Sequence, residues 1–409
     1  MTPPLLSGLL QRQYDQSHRN FTRQLELNRA CALGFDTSKQ ISSIHKGGVT
    51  WLDLERADNR YLLAGSADCS VAVYDVAQPS TSNGQQSSGS GDYGSVLKIT
   101  SANSDCHQYS VSSVAWYPID TGLFVTGSFD HQVKVWDANV GQAACSFTFP
   151  DRVYGVAMSA IAATHCLIAV VGGDPHIKLC DPATGGFTHS LVGHREPVWA
   201  VSWSLESEYH LVTGGCDGQV RMWDIRTYNC LRMFDEHVTQ RPKAVRAESA
   251  GSRKRSRNGA ARKESTAAVA HDGRVTGILP TPDGLHWLTA GTDNRLRLWD
   301  ARHNYHLLVN YPQTFNSSMK ARQLAVAGDE DLIFHPSGGI IQCLHRLTGQ
   351  SLGTLRGHLD TVNCCCYNSY QQELYSGGND CNIIVWAAPT GSDTTEGPDN
   401  KDDQDAWSD

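Results

Sequence analysis

Along most of this chain, short stretches alternate apolar and polar residues, the period of a half-buried β-strand. Val133 and Val135 stand against His131 and Lys134, Val220 and Met222 against Arg221, and Leu296 and Leu298 against Arg295 and Arg297. Each stretch follows a turn that carries Asp and closes on Trp-Asp: Gly127–Asp137 reads GSFDHQVKVWD, Gly214–Asp224 GGCDGQVRMWD and Ala290–Asp300 AGTDNRLRLWD. Weaker copies occupy Ala64–Asp75, Gly172–Asp181 and Gly377–Ala387. The copies end at 75, 137, 181, 224, 300 and 387, in steps of 62, 44, 43, 76 and 87. A repeat of this kind takes about 40–45 residues. The last step therefore holds a seventh, degenerate unit at Gly328–Gly349, and the 62 and 76 steps carry insertions. The pattern predicts an all-β, seven-bladed propeller of four-stranded sheets.

After Trp386 the chain turns polar, which leaves the seventh unit without a fourth strand. The segment Gln40–Ile44 precedes the first unit and is predicted to fill that place, so that the N-terminal side zips the ring and protects an open edge.

Polar residues recur at fixed offsets. His45, His107, His194, His271 and His358 lie 29 or 30 residues before the end of their units, followed by Thr126, Thr213, Thr289 or Ser376 and by Asp68, Asp130, Asp217, Asp293 or Asp380. His, hydroxyl and Asp together suggest a hydrolase triad, but a triad occurs once and this set returns in at least four units. The reading is structural, with no catalytic residue. Three units depart from the set. The first has Ala64 and Tyr74 in the hydroxyl and Trp places, the third has Asp151 and Cys180 in the His and Trp places, and the sixth keeps almost none of it. Those units are expected to rely on apolar packing.

These residues resemble the WD40 repeat family. The resemblance implies a relay inside each blade, in which turn His, turn Asp, strand Ser/Thr and strand Trp satisfy one another. It assigns that role to His194, Thr213, Asp217 and Trp223, and to His271, Thr289, Asp293 and Trp299.

Outside the ring, Pro3 and Pro4 suit a first helical turn, and Leu6, Leu9, Leu10 and Tyr14 share one helical face. A second helical stretch is read near Arg19–Leu27. Such helices can pack on the chain's own ring or offer an apolar ridge to a partner's groove. The domain reading is residues 1–28 as a helical docking segment, 39–389 as the propeller and 390–409 as an acidic tail. Insertions at about 78–94 (Ser/Gly/Gln-rich) and 236–270 are read as disordered loops.

Charge refines the picture. Of the net −8, segment 236–270 contributes +6 and tail 391–409 contributes −6. A mildly acidic ring is a poor direct binder of nucleic acid. The basic run Arg253–Arg257 reads as a nuclear-localisation signal, and Trp407 as a possible anchor in the tail. The thirteen Cys show no disulfide or zinc spacing; Cys166, Cys180, Cys343, Cys364 and Cys366 read as buried strand residues, which implies a reducing compartment. No cofactor, metal or membrane span is expected.

A narrower resemblance rests on the stretch from His107 to Asp130, HREPVWAVSWS from His194, Gly284–Trp299, Leu308–Tyr311, Leu355–Ile383, the N-terminal helix pair and QDAW at Gln404–Trp407. These are similar to the substrate receptors of cullin 4-type RING ubiquitin ligases in transcription-coupled nucleotide-excision repair. The resemblance implies three partners: a large damaged-DNA-binding adaptor with cullin and RING subunits, the Cockayne syndrome group B ATPase, and stalled RNA polymerase II. It implies adaptor contacts from Leu5, Leu6, Leu9, Leu10 and Tyr14, and from the Trp-Asp-x-Arg arginines Arg226 and Arg302. The opposite face would take substrate through Phe129, Arg195, Trp199, Thr292 and Asn379. A general scaffold in a nuclear chromatin or RNA-processing complex is the alternative.

Overall fold

Seven sheets repeat one meander, in which the first strand lines a central channel and each later strand lies further out. In blade 2 the strands are Val111–Trp116, Leu123–Ser128, Gln132–Asp137 and Gln142–Thr148, all antiparallel. The computed structural model describes residues 27–79, 91–239, 268–316, 318–327 and 331–389. It is a seven-bladed propeller. Leu5, Leu6, Leu9, Leu10, Tyr14, the Arg253–Arg257 run and the acidic tail lie outside the described residues.

Alternation puts one set of side chains from each sheet against each neighbour, so the core lies between blades rather than within one. Each of seven apolar clusters joins two consecutive blades; Val111, Val114 and Trp116 of blade 2, for example, pack with Leu63, Val71 and Val73 of blade 1. The glycine of the repeat has a packing reason. A Cβ on Gly65, Gly127, Gly214 or Gly377 would stand within 2.8 Å of the first Val of the next blade. Only a bare backbone lets the blades approach that closely.

Two register slips recur. The third and fourth strands slip just before the Trp place in blades 1, 2, 3, 4 and 6. The first and second strands slip in every blade but the sixth, leaving Thr50, Ser112, Tyr154, Trp199, Thr276 and Asn363 as bulge residues. Three of these sew blades together: Thr50 Oγ1 donates to Val111 O (2.7 Å), Ser112 Oγ to Val153 O (2.8 Å) and Asn363 Nδ2 to Val49 O (2.8 Å).

Three expectations need correction. The ring is closed by Gly34–Phe35, which pairs with Ala387 and Trp386, and by the Asp36 amide on Val385 O, not by Gln40–Ile44. Phe35 sets that register by packing edge-on to Trp386, with centroids 6.3 Å apart. A turn at Asp36 then leads Lys39–Ile41 aside to pair in parallel with Gly91–Tyr93, so part of the Ser/Gly-rich insertion is strand rather than loop. The described helix, residues 27–31, starts where the predicted stretch ends, and Ala30 and Leu33 bury against blades 6 and 7. Cys166 lies before its strand, which starts at Ile168, and is only half-buried. No disulfide joins cysteines among the described residues.

Blade 5 has three regular strands. In place of a fourth, Phe234 packs edge-on against Trp299 (5.2 Å), and His306 bridges to both Trp299 and Thr239. No helix among the described residues is long and apolar enough to cross a membrane.

Candidate interaction surfaces

The upper face is built by the turn Asp of each repeat. In blade 4, Asp217 accepts the amides of Gln219 (3.1 Å) and Arg195 (3.3 Å), so one carboxylate closes its own turn and fixes the loop entering the blade. His194 Nδ1 lies 3.1 Å from Asp217, His194 Nε2 lies 2.9 Å from Thr213 Oγ1, and Trp223 Nε1 donates to the same hydroxyl at 2.8 Å. In blade 5, His271 stands 3.0 Å from Asp293 and 2.7 Å from Thr289, to which Trp299 donates at 2.9 Å. Blades 2 and 7 repeat this with His107, Asp130, Thr126, Trp136 and with His358, Asp380, Ser376, Trp386. Each hydroxyl is buried and held by two donors or partners, so none is placed as a nucleophile. Burial would raise the Asp217 carboxyl, but His194 and the two amides hold it below the ordinary range.

Where the set is incomplete, the chemistry changes. In blade 1, His45 Nδ1 turns to Ser70 Oγ (2.6 Å), which bonds to Asp68; with Ala64 in the hydroxyl place, His45 Nε2 has no partner. Burial pushes this imidazole down to about 4, against the pull of Asp68. In blade 5, Arg297 joins the relay, bonding Asp293 (2.6 Å), His271 (2.7 Å) and Glu236 (2.7 Å). Glu236 belongs to the basic insertion, so this insertion is tied down at its first residue.

The loop geometry leaves the residue after each relay His facing solvent: Lys46, Gln108, Arg195, Asp272 and Leu359, the last 92% exposed. Beside them runs an aromatic and cationic shelf across five blades. Phe129 meets Tyr154 edge-on (5.7 Å), Tyr154 meets Trp199 (6.4 Å), the Arg274 guanidinium covers Trp199 (5.2 Å), and Arg274 reaches Met319 Sδ (4.0 Å). Thr292 Oγ1 accepts the Arg274 amide at 2.9 Å. The structure thus brings Phe129, Trp199 and Thr292 together. Arg195 is exposed on blade 4. Asn379 sits on blade 7, held by Thr361 (2.6 Å) and Asn363 (2.8 Å). Trp199 itself is buried beneath Arg274 and supports the shelf rather than forming its surface. Tyr154, Arg274, Met319 and Leu359 are additions. The available signals were position two of the innermost strand for Tyr154 and the place after the turn His for Leu359.

The lower face carries the ends of the third strands. Arg226 stacks over Tyr209 (4.5 Å) and binds Asp224 through two nitrogens (2.8 and 3.1 Å), which leaves most of the side chain exposed. Arg302 lies 3.5 Å from Glu206 and is also exposed, with its carbonyl accepting Arg232. Apolar tips surround the channel mouth on this face: Ile119, Ile161, Leu285 and Tyr370, the last 82% exposed. Exposed apolar groups beside exposed arginines have the composition common at association surfaces. Among the described residues no cluster has a metal-ligand set.

Comparison with known proteins agrees with this architecture. The model of the WD domain, G-beta repeat, matches residues 38–75, 99–137, 185–224, 264–300 and 349–387, leaving the third and sixth blades to their divergent sequences. The WD repeat-containing protein ATCSA-1 of Arabidopsis thaliana is 36% identical over 436 residues, covering 95% of this chain and 96% of that protein. A ribosome biogenesis protein WDR12 homolog of Chlamydomonas reinhardtii is 34% identical over 32% of this chain and 30% of its own length. Ribosome biogenesis protein YTM1 of Chaetomium thermophilum is 28% identical over 45% and 40%. End-to-end likeness to one repeat protein, together with seven blades and their relays, makes this chain a member of the WD40 repeat family.

Proposed function

We propose that this chain is the non-catalytic substrate receptor of a cullin 4-type RING ubiquitin ligase in transcription-coupled nucleotide-excision repair, the role of the Cockayne syndrome group A protein. The carrying observation is the full-length likeness to ATCSA-1, whose name bears the CSA designation. The likeness to ribosome biogenesis proteins covers less than half of either chain and is a likeness of repeats. One further feature supports the reading. The ring offers two chemically different faces: exposed Arg226 and Arg302 among apolar tips below, and the Phe129–Tyr154–Arg274–Met319 shelf above. A receptor needs two such surfaces, one for the ligase and one for the substrate, and needs no reacting group. In this reading the lower face and residues 1–27 dock on the damaged-DNA-binding adaptor, while the upper face meets the group B ATPase and stalled polymerase. The Arg253–Arg257 run directs the protein to the nucleus.

Affinity purification of the tagged chain from nuclei tests the proposal. Adaptor and cullin are expected with the full chain and lost when residues 1–27 are deleted or when Arg226 and Arg302 are both changed to Glu. Recovery of neither protein with the full chain would leave the general-scaffold reading in its place.

A further inference from the structure

The first strands of all seven blades enclose a central cavity of about 620 Å³. Their inner edges would expose unpaired backbone groups to it, and polar side chains cover several of these. Asp53 accepts the Trp116 amide (2.7 Å), Trp203 donates to Ala157 O (3.0 Å), and the Gln323 amide reaches past blade 7 to both polar groups of the Leu52 backbone. Charged groups lining the cavity are Asp53, Arg56 and Arg322.

Arg322 is the anomaly. It holds in blade 6 the place of the bulge residues, as its bond to Pro336 O (3.3 Å) matches that of Thr276 to Ala290 O. Six blades fill this place with a neutral residue, so the ring does not require a cation there. The side chain is 5% exposed, its Nε has no partner, and no carboxylate pairs with it among the described residues. His335, in the relay hydroxyl place of blade 6, is buried beside it with neither ring nitrogen bonded. Lys320 lies close enough to feel the guanidinium and forms no ion pair among the described residues. A buried guanidinium without a counter-charge is costly. Water in the channel can satisfy its N–H groups but supplies no charge. An oxyanion supplies both, and the planar guanidinium edge matches one with two parallel hydrogen bonds.

We propose that Arg322 is the seat of a small oxyanion bound in the central channel. The ligand class is a phosphate or carboxylate small enough to enter the cavity. This assignment is independent of the ligase reading.

Isothermal titration of the full chain at constant ionic strength, with inorganic phosphate and separately with acetate, tests it. A saturable one-site isotherm is expected with at least one of them, and which one binds identifies phosphoryl or carboxylate chemistry. Arg322→Gln is expected to weaken binding at least tenfold. Arg322→Lys, which keeps the charge and loses the fork, should weaken it several-fold and serves if the Gln variant does not fold. Absence of saturable binding of either anion by the wild-type chain would overturn the proposal, as would unchanged affinity in both variants.

Discussion

Lys39 and Glu373, 334 residues apart in the chain, form a 2.6 Å ion pair where the N-terminal side of the ring meets blade 7. The Lys39 ammonium also lies over the rings of Tyr93 (5.1 Å) and Tyr375 (5.7 Å), and Tyr375 donates to the same carboxylate. One residue thus links the closing segment, the first insertion and the last blade. At 8% exposure it sits where losing one partner of an ion pair costs about 3–5 kcal/mol. Lys39→Met should lower the urea midpoint accordingly, and adding Glu373→Gln should recover part of the loss. An unchanged midpoint in the single variant would mean that Phe35 and the backbone pairs close the ring alone.

The relay predicts opposite effects in two blades. Thr213→Val removes the hydroxyl that accepts from Trp223 and donates to His194 Nε2, and should destabilise by about 1–3 kcal/mol. Ala64→Ser in blade 1 gives the unpartnered His45 Nε2 a hydroxyl donor and should raise the melting temperature. Paired melting curves check both, and a destabilising Ala64→Ser would show that blade 1 has no room for the hydroxyl.

Two buried histidines give the ring an acid-sensitive window. Burial lowers His335 to about 3 and His45 to about 4, from an ordinary value near 6.5. Between 6.5 and those values the unfolded chain takes up protons that the folded chain refuses, so stability falls as pH drops from 6.5 towards 4. The slope is at most about 1.4 kcal/mol per pH unit for each histidine. Asp53 acts in the opposite sense: burial raises it to about 6, so its contribution increases as pH falls from 6 to 3.8. The difference between the wild type and His335→Leu isolates the histidine. Denaturant unfolding at pH 7 and pH 5 should show a smaller loss in the variant, and parallel losses would remove His335 from the account.

What was legible in the chain was whatever repeats. Trp136, Trp223, Trp299 and Trp386 recur because each must donate to a buried hydroxyl ten residues back, and the glycines recur because the next blade's Val needs the space. Features present once left weaker traces. The closing segment offers one apolar residue, Phe35, and its register depends on Trp386 at the other end of the chain. Lys39–Ile41 is too short to show a period, and its partner lies in an insertion whose composition reads as loop. The upper shelf was legible in part, through Phe129, Trp199 and Thr292; Tyr154 escaped because it stands at a bulge place, mostly held by small polar residues, that only the register of the sheets reveals.

The shelf yields the last prediction. Trp199 is buried, so Trp199→Ala would remove packing worth about 3–5 kcal/mol and would report on stability before binding. Arg274 is exposed and bears no ion pair among the described residues, and Tyr154 is half-buried between Phe129 and Trp199. Aromatic and arginine side chains in such settings dominate association energies. Arg274→Glu combined with Tyr154→Ala should therefore reduce recovery of the group B ATPase and polymerase in the nuclear purification at least tenfold. Adaptor and cullin recovery should stay at the wild-type level, because Arg226 and Arg302 lie on the opposite face. Loss of all partners together would mean misfolding, which the melting curve would reveal. Full retention of the substrate-side partners by a folded variant would place their contact away from the shelf, at Arg195, Leu359 or Asn379.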